Sequence, residues 1–136
     1  MMEQISDHFS MSEFTFSPTA VEHSLRNEPD RIQRSCIRSL VINLLEPLRR
    51  YAGEPIRITS GFRSEALNRL VGGVKTSQHR LGEAADCFTP KGPRFLLRRL
   101  LDSGLPFDQA IVYQSKNFIH LSYREGRNRR MIIIRS

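Results

Sequence analysis

Three side chains carry the clearest chemical signal in this sequence. Residues 77–86, SQHRLGEAAD, set His79 and Asp86 seven positions apart around Gly82, and a later run, FIHLS, places His120 among apolar residues. Two imidazoles and a carboxylate make a three-ligand set. Around a tetrahedral zinc ion such a set leaves a fourth position open to water, the arrangement of catalytic zinc. Each residue alone reads more readily as a hydrogen-bonded structural group than as a ligand. Together, with Gly82 allowing a tight turn and Ala84 and Ala85 leaving room, they suggest a metal.

The elements around them must bring these three together. From Asp30, a capping residue, apolar positions at Ile37, Leu40, Val41, Leu44, Leu45 and Leu48 recur at helical spacing and predict the main core helix. Pro47 is expected to kink or close it within a turn. Residues 56–59 alternate as a short strand released by Ser60-Gly61, with Arg63 at its exit. Ser64 then caps a short helix ending at Gly72-Gly73, and a polar loop delivers Ser77 and His79. Residues 84–88 read as a strand with Asp86 on the face of Ala84 and Phe88. Pro93 opens a helix that stops before Gly104, and residues 109–113, 118–123 and 130–134 read as strands, the last two joined by a turn at 125–128. Near the N-terminus a short helix around 12–16 is anchored by Phe9, Phe14 and Phe16. Alternation along 118–123 turns Ile119, Leu121 and Tyr123 toward the helices and His120 and Ser122 to the opposite face, which Asp86 can reach. The expected fold is α+β, a mostly antiparallel sheet with helices on one face and the zinc site on the other.

At 136 residues, 39% hydrophobic and 26% charged, without repeats or low-complexity tracts, the chain is expected to form one domain spanning 1–136. No apolar run approaches the ~20 residues that cross a bilayer. The opening Met-Met-Glu-Gln lacks the basic-then-apolar pattern of a secretory signal, so cytoplasmic residence is expected. Cys36 and Cys87 give neither a disulfide framework nor a Cys-x-x-Cys pair, and Cys87, facing away from Asp86, reads as core. His8 and His23 stand without partners at ligand spacing and read as surface residues. Lys and Arg outnumber Asp and Glu by 21 to 14, with Arg124, Arg127, Arg129, Arg130 and Arg135 close together. That balance favours an anionic partner such as a wall polymer or a carboxylate-bearing substrate. These arginines lack interleaved aromatic residues for base stacking, so a solvated hairpin is preferred to nucleic-acid binding.

The flanking residues add a resemblance. Ser60-Gly61-Phe62-Arg63-Ser64, Leu67-Asn68, Val71-Gly72-Gly73, Ser77-Gln78-His79, Gly82-Glu83-Ala84-Ala85-Asp86, Phe107-Asp108-Gln109 and Ile119-His120-Leu121-Ser122-Tyr123 occur in that order. They closely resemble the zinc D-Ala-D-Ala carboxypeptidase family, which includes phage endolysins and is related in fold to the hedgehog signalling domain. The likeness implies zinc held by His79, Asp86 and His120. It places Arg63 beside the substrate, where a guanidinium suits a peptide carboxylate or carbonyl, and Ser77 within hydrogen-bonding reach of it. A surface ion pair for Arg63 and a loop cap for Ser77 are the structural alternatives. Asp108 and Gln109 match a family element in which Asp108 either steadies a ligand histidine or forms the turn after Pro106.

One stretch departs from the family. Zinc peptidases need a base that takes a proton from water and returns it to the leaving amine, and in much of this family a glutamate before the last histidine serves. Here that stretch reads Tyr113-Gln114-Ser115-Lys116-Asn117, so Tyr113 or Gln114 occupies the place, and an amide can orient water without accepting its proton. Glu83, beside the ligands, is the nearest other acid in sequence. The resemblance implies a zinc peptidase cutting peptidoglycan stem peptides near D-alanine, of carboxypeptidase or endolysin type. The alternative is a zinc domain that binds wall fragments or a protein partner without hydrolysis. A phage-type enzyme would reach the wall by release rather than by a signal of its own.

Overall fold

The computed structural model describes residues 3–136. Phe9 and Phe14 anchor α1 (Met11–Thr15), but Phe16 is 65% exposed and anchors nothing. Pro18 opens α2 (Pro18–Glu22), with Ser17 as its cap. His8 is on the surface, as expected, and its Nδ1 lies 2.6 Å from the Glu46 carboxylate.

Asp30 starts α3 (Arg31–Leu40) with a reciprocal pair of hydrogen bonds to Gln33. Of the two outcomes expected at Pro47, distortion or closure, the helix shows a local distortion and runs on to Ala52. Proline has no N–H and its ring crowds the carbonyl four residues back, so residues Val41–Leu45 widen into a π turn in which the Glu46 N–H donates to the Val41 carbonyl. The axis then continues through α4 (Glu46–Ala52) to Gly53. The result keeps Leu40, Val41, Leu44, Leu45 and Leu48 fully buried in one core.

After β1 (Arg57–Ser60), Ser64 caps α5 (Glu65–Leu70), and a one-turn α6 (Gln78–Leu81) precedes β2 (Ala84–Phe88). There follow α7 (Pro93–Ser103), β3 (Gln109–Tyr113), β4 (Phe118–Ser122) and β5 (Met131–Arg135). The five strands form one sheet in the order β1-β2-β4-β3-β5, antiparallel except that β5 runs parallel to β3. The hairpin expected between β4 and β5 does not form. Both edges of β4 are taken by β2 and β3, so the chain crosses the start of β3 to reach its free edge, which makes the pairing parallel. The Arg130 and Met131 N–H groups fasten this crossover by donating to the carbonyls of Phe107 and Asp108.

Ala85, Cys87, Ala110, Val112, Ile119 and Leu121 belong to the same core as the buried residues of α3, α4 and α7. By the two-residue period of a strand, Asp86, Ile111, Tyr113 and His120 face the other way. Both cysteines are free. Among the described residues no helix is long and apolar enough to cross a membrane.

Candidate metal centre

His79 lies on the single turn of α6, which starts at Ser77, whose hydroxyl accepts from the His79 N–H at 3.2 Å. The turn ends at Gly82 with φ +77°, and a Cβ there would stand 2.5 Å from the Gln33 carbonyl oxygen. Both conformation and space therefore call for glycine. The chain enters β2 at once, and the antiparallel register of β2 with β4 sets Asp86 opposite His120.

The His79 imidazole is buried, with Nδ1 2.7 Å from the Gly61 carbonyl oxygen. A carbonyl only accepts, so Nδ1 carries a proton, and in the tautomer this fixes for a neutral ring Nε2 turns its lone pair toward Asp86. Nε2 lies 3.3 Å from Asp86 Oδ1, and His120 Nδ1 lies 3.1 Å from the same oxygen. A lone pair facing a carboxylate at this distance is stable only with a proton or a metal cation between them. One ligand atom from each of the three residues falls within 4.8 Å of the others. Bonds of ~2.0–2.1 Å at tetrahedral angles separate ligand atoms by about 3.4 Å, close to the spacing found. His120 Nε2 is buried without a hydrogen-bond partner. Burial acts to raise the Asp86 carboxyl, but hydrogen bonds and charge from His120 and His79 outweigh it and hold the group well below the usual carboxylate range. Donor types, spacing and burial all fit a bound divalent cation.

The cluster lines a cleft of about 1170 Å³ in which Asp86 is the only acidic lining residue, against Arg63, Lys75, Lys116, Arg124 and Arg129. Arg63 is half-buried, donates its backbone N–H to the His79 carbonyl, and reaches Asn68 Oδ1 with Nη1 at 3.1 Å. Burial lowers its pKa, while the negative charge of Asp86 pulls it back up. Ser77 caps α6 and also lines the cleft. Of the two residues in place of the glutamate, Tyr113 lines the cleft and stacks on Phe118 with ring centres 4.6 Å apart. Gln114 turns out to accept from the Arg94 guanidinium.

Asp108 does not steady a ligand histidine. Its fully buried carboxylate accepts from the N–H, Nε and Nη2 of Arg129 and from Gln78 Nε2 at 2.7 Å. It thereby ties the β4–β5 crossover to the turn carrying His79. Arg124 faces Glu83 at 3.5 Å, and the Arg130 guanidinium lies 4.7 Å from the centre of the Phe107 ring. Arg124, Arg129 and Arg130 therefore clamp the crossover, while Arg127 and Arg135 are exposed. Glu83 does not line the cleft.

Sequence reasoning missed the support from Gly61 and Gln78 and the cleft position of Lys75 and Lys116. Gly61 at a strand exit and Gln78 next to a ligand were visible as neighbours of the motif. The two lysines showed only as loop charges.

No curated protein of known function matches the chain. The family model described as Peptidase M15 matches residues 7–122, a span that contains all three residues of the cluster, and the chain belongs to this peptidase M15 family of metallopeptidases.

Proposed function

We propose that the protein is a zinc peptidase that hydrolyses peptidoglycan stem peptides near D-alanine. The observation supporting this most strongly is the His79 Nε2 lone pair held against Asp86, with His120 completing three donors beside an open cleft. Zinc held by His79, Asp86 and His120 would polarise the scissile carbonyl and lower the pKa of water beside it.

The chain's own residues bind and orient. The Gly61 carbonyl fixes the His79 tautomer, as supporting partners of metal-bound imidazoles do. Arg63, partly desolvated, has a guanidinium available to a substrate carbonyl or carboxylate. The Ser77 hydroxyl accepts from the His79 N–H, which leaves its own proton free to donate to substrate. Lys75 and Lys116, without an ion-pair partner among the described residues, attract an acidic peptide. Tyr113 occupies the place of the base, and a neutral phenol donates a hydrogen bond well but accepts a proton poorly. Proton delivery to the leaving amine is then the weak step, and turnover is slow.

Digestion of muropeptides, read by mass spectrometry with chelator and after zinc is restored, should show slow, zinc-dependent cleavage. Tyr113→Glu should raise the rate toward the ~10²–10⁴-fold that acid–base catalysis contributes. Gln114→Glu, pointing away beside Arg94, should give no gain. If zinc-loaded protein cuts no muropeptide and Tyr113→Glu restores nothing, the second reading holds, a zinc domain that binds wall peptides intact. That reading is favoured by one observation, the lack of any acid besides Asp86 on the cleft lining.

A further inference from the structure

A second, smaller groove of about 240 Å³ also reaches Arg63 and Asp86. Cleft and groove share Arg63, Val71 and Asp86, so Asp86 lies between two hollows rather than at the blind end of one. Phe16 and Pro18 line the groove together with Thr59 and Ser60 of β1. β1 is an outer strand of the sheet, with no strand on its second edge among the described residues, and an extended peptide can lie along such an edge. The exposed Phe16 ring, not needed by the core, gives the groove an apolar side.

The two hollows differ in charge. Apart from the shared Arg63 and Asp86, no residue lining the groove is ionisable, whereas the cleft carries Lys75, Lys116, Arg124 and Arg129. An enzyme that removes terminal residues needs a stop beyond the metal with a charged group to read the chain end. Here the hollow beyond Asp86 continues without charge, and the one shared cation, Arg63, stands between the hollows beside the bond to be cut.

We infer that the substrate peptide runs through the site, its acidic flank in the cationic cleft and an uncharged flank of small or apolar residues in the groove, so that the bond cut is internal. This rests on the peptidase reading above. Water is consumed, the amide C–N bond breaks, and a new carboxylate and a new amine leave with opposite flanks.

Two measurements on the zinc-loaded protein test it. In the first, peptides with an acidic flank and four uncharged residues beyond the scissile bond, C-terminally amidated, are compared with free acids truncated to one residue beyond it. The amidated long peptides should be cut, and truncation should lower kcat/KM at least ~10-fold, because contacts remote from the bond contribute to transition-state binding. Cleavage of the short free acids alone would overturn the inference and leave the peptidase reading standing. In the second, a peptide N-methylated at the scissile amide is titrated into ¹⁵N-labelled protein. Backbone amide shifts should move at Thr59 and Ser60 as well as at Lys75 and Lys116. Shifts confined to the lysine side would overturn the through-running peptide whether or not anything is cut. Shifts on both sides without cleavage of any peptide would overturn the peptidase reading and keep the groove assignment.

Discussion

Glu46 and Asp86 are both largely buried carboxylates set against imidazoles, and their surroundings differ in kind. Glu46 Oε1 accepts from the Ser6 hydroxyl and the His8 N–H, and Oε2 meets His8 Nδ1 at 2.6 Å and Arg50 Nε at 3.2 Å. Both oxygens are met by donors from the chain itself. At Asp86 two imidazoles converge on one oxygen, one with its proton already given to Gly61 and the other with a buried nitrogen left alone. The first cluster is closed and holds the N-terminal segment on α4, while the second opens into a cleft. A histidine beside a buried acid is therefore no sign of a metal by itself. The sign is an acid that the protein's own donors do not saturate.

The largest effect is expected from breaking the open cluster. Asp86→Asn removes the charge between the imidazoles, and loss of a ligand should exceed the ~10–100-fold in metal affinity that supporting residues typically carry. Hydrolysis should disappear with the metal. In melts with and without zinc, the wild type should gain about 2.7 kcal/mol at zinc 100-fold above its dissociation constant, and the variant nothing. A gain retained by Asp86→Asn would put the metal elsewhere.

Breaking the closed cluster should reverse the pattern. Glu46→Gln leaves several donors facing an amide, at a cost of about 2–3 kcal/mol in denaturant unfolding of the metal-free protein. The zinc-dependent increment should be unchanged. If it falls as well, latch and metal site are one cooperative unit and the contrast between them collapses.

The sequence exposed the open cluster better than the closed one for a physical reason. His79, Gly82 and Asp86 are near neighbours in the chain, and strand alternation alone assigns His120 to their face. The Glu46 latch joins residues 38 apart in sequence, through a segment with no regular period, so His8 showed correctly as a surface residue but not as a partner of Glu46. Pro47 signalled a local disturbance without saying whether the helix would end, and a one-residue widening meets it while hydrophobic burial on both sides carries the helix on. The β4–β5 hairpin failed because a turn signal reports only that the chain reverses, not which strand edge is vacant. Asp108 was visible as a motif residue, but its partner Arg129 became apparent only once the crossover was known.

Acid should separate the wild type from Glu46→Gln by the smallest margin, and its sign follows from the Glu46 surroundings. Burial acts to raise this carboxyl, but Ser6, His8 and Arg50 together bring it down to about 2, against ~4.3 for an unfolded chain. A carboxyl whose folded pKa is depressed stabilises the fold fully above its unfolded value, and that contribution drains away as pH falls toward the folded one. Between neutral pH and pH ~3 the loss is about 1.7 kcal/mol, an upper figure because Arg50 and His8 are partly exposed and screened. Asp108, held at about 2 chiefly by Arg129 against the effect of burial, titrates in the same window and is untouched by the substitution. Denaturant midpoints measured from pH 7 to pH 3 should therefore fall in both proteins, more steeply in the wild type than in Glu46→Gln. Parallel curves would mean that the charge on Glu46 adds nothing to the fold, and the closed cluster would then be a contact of shape rather than of saturated charge.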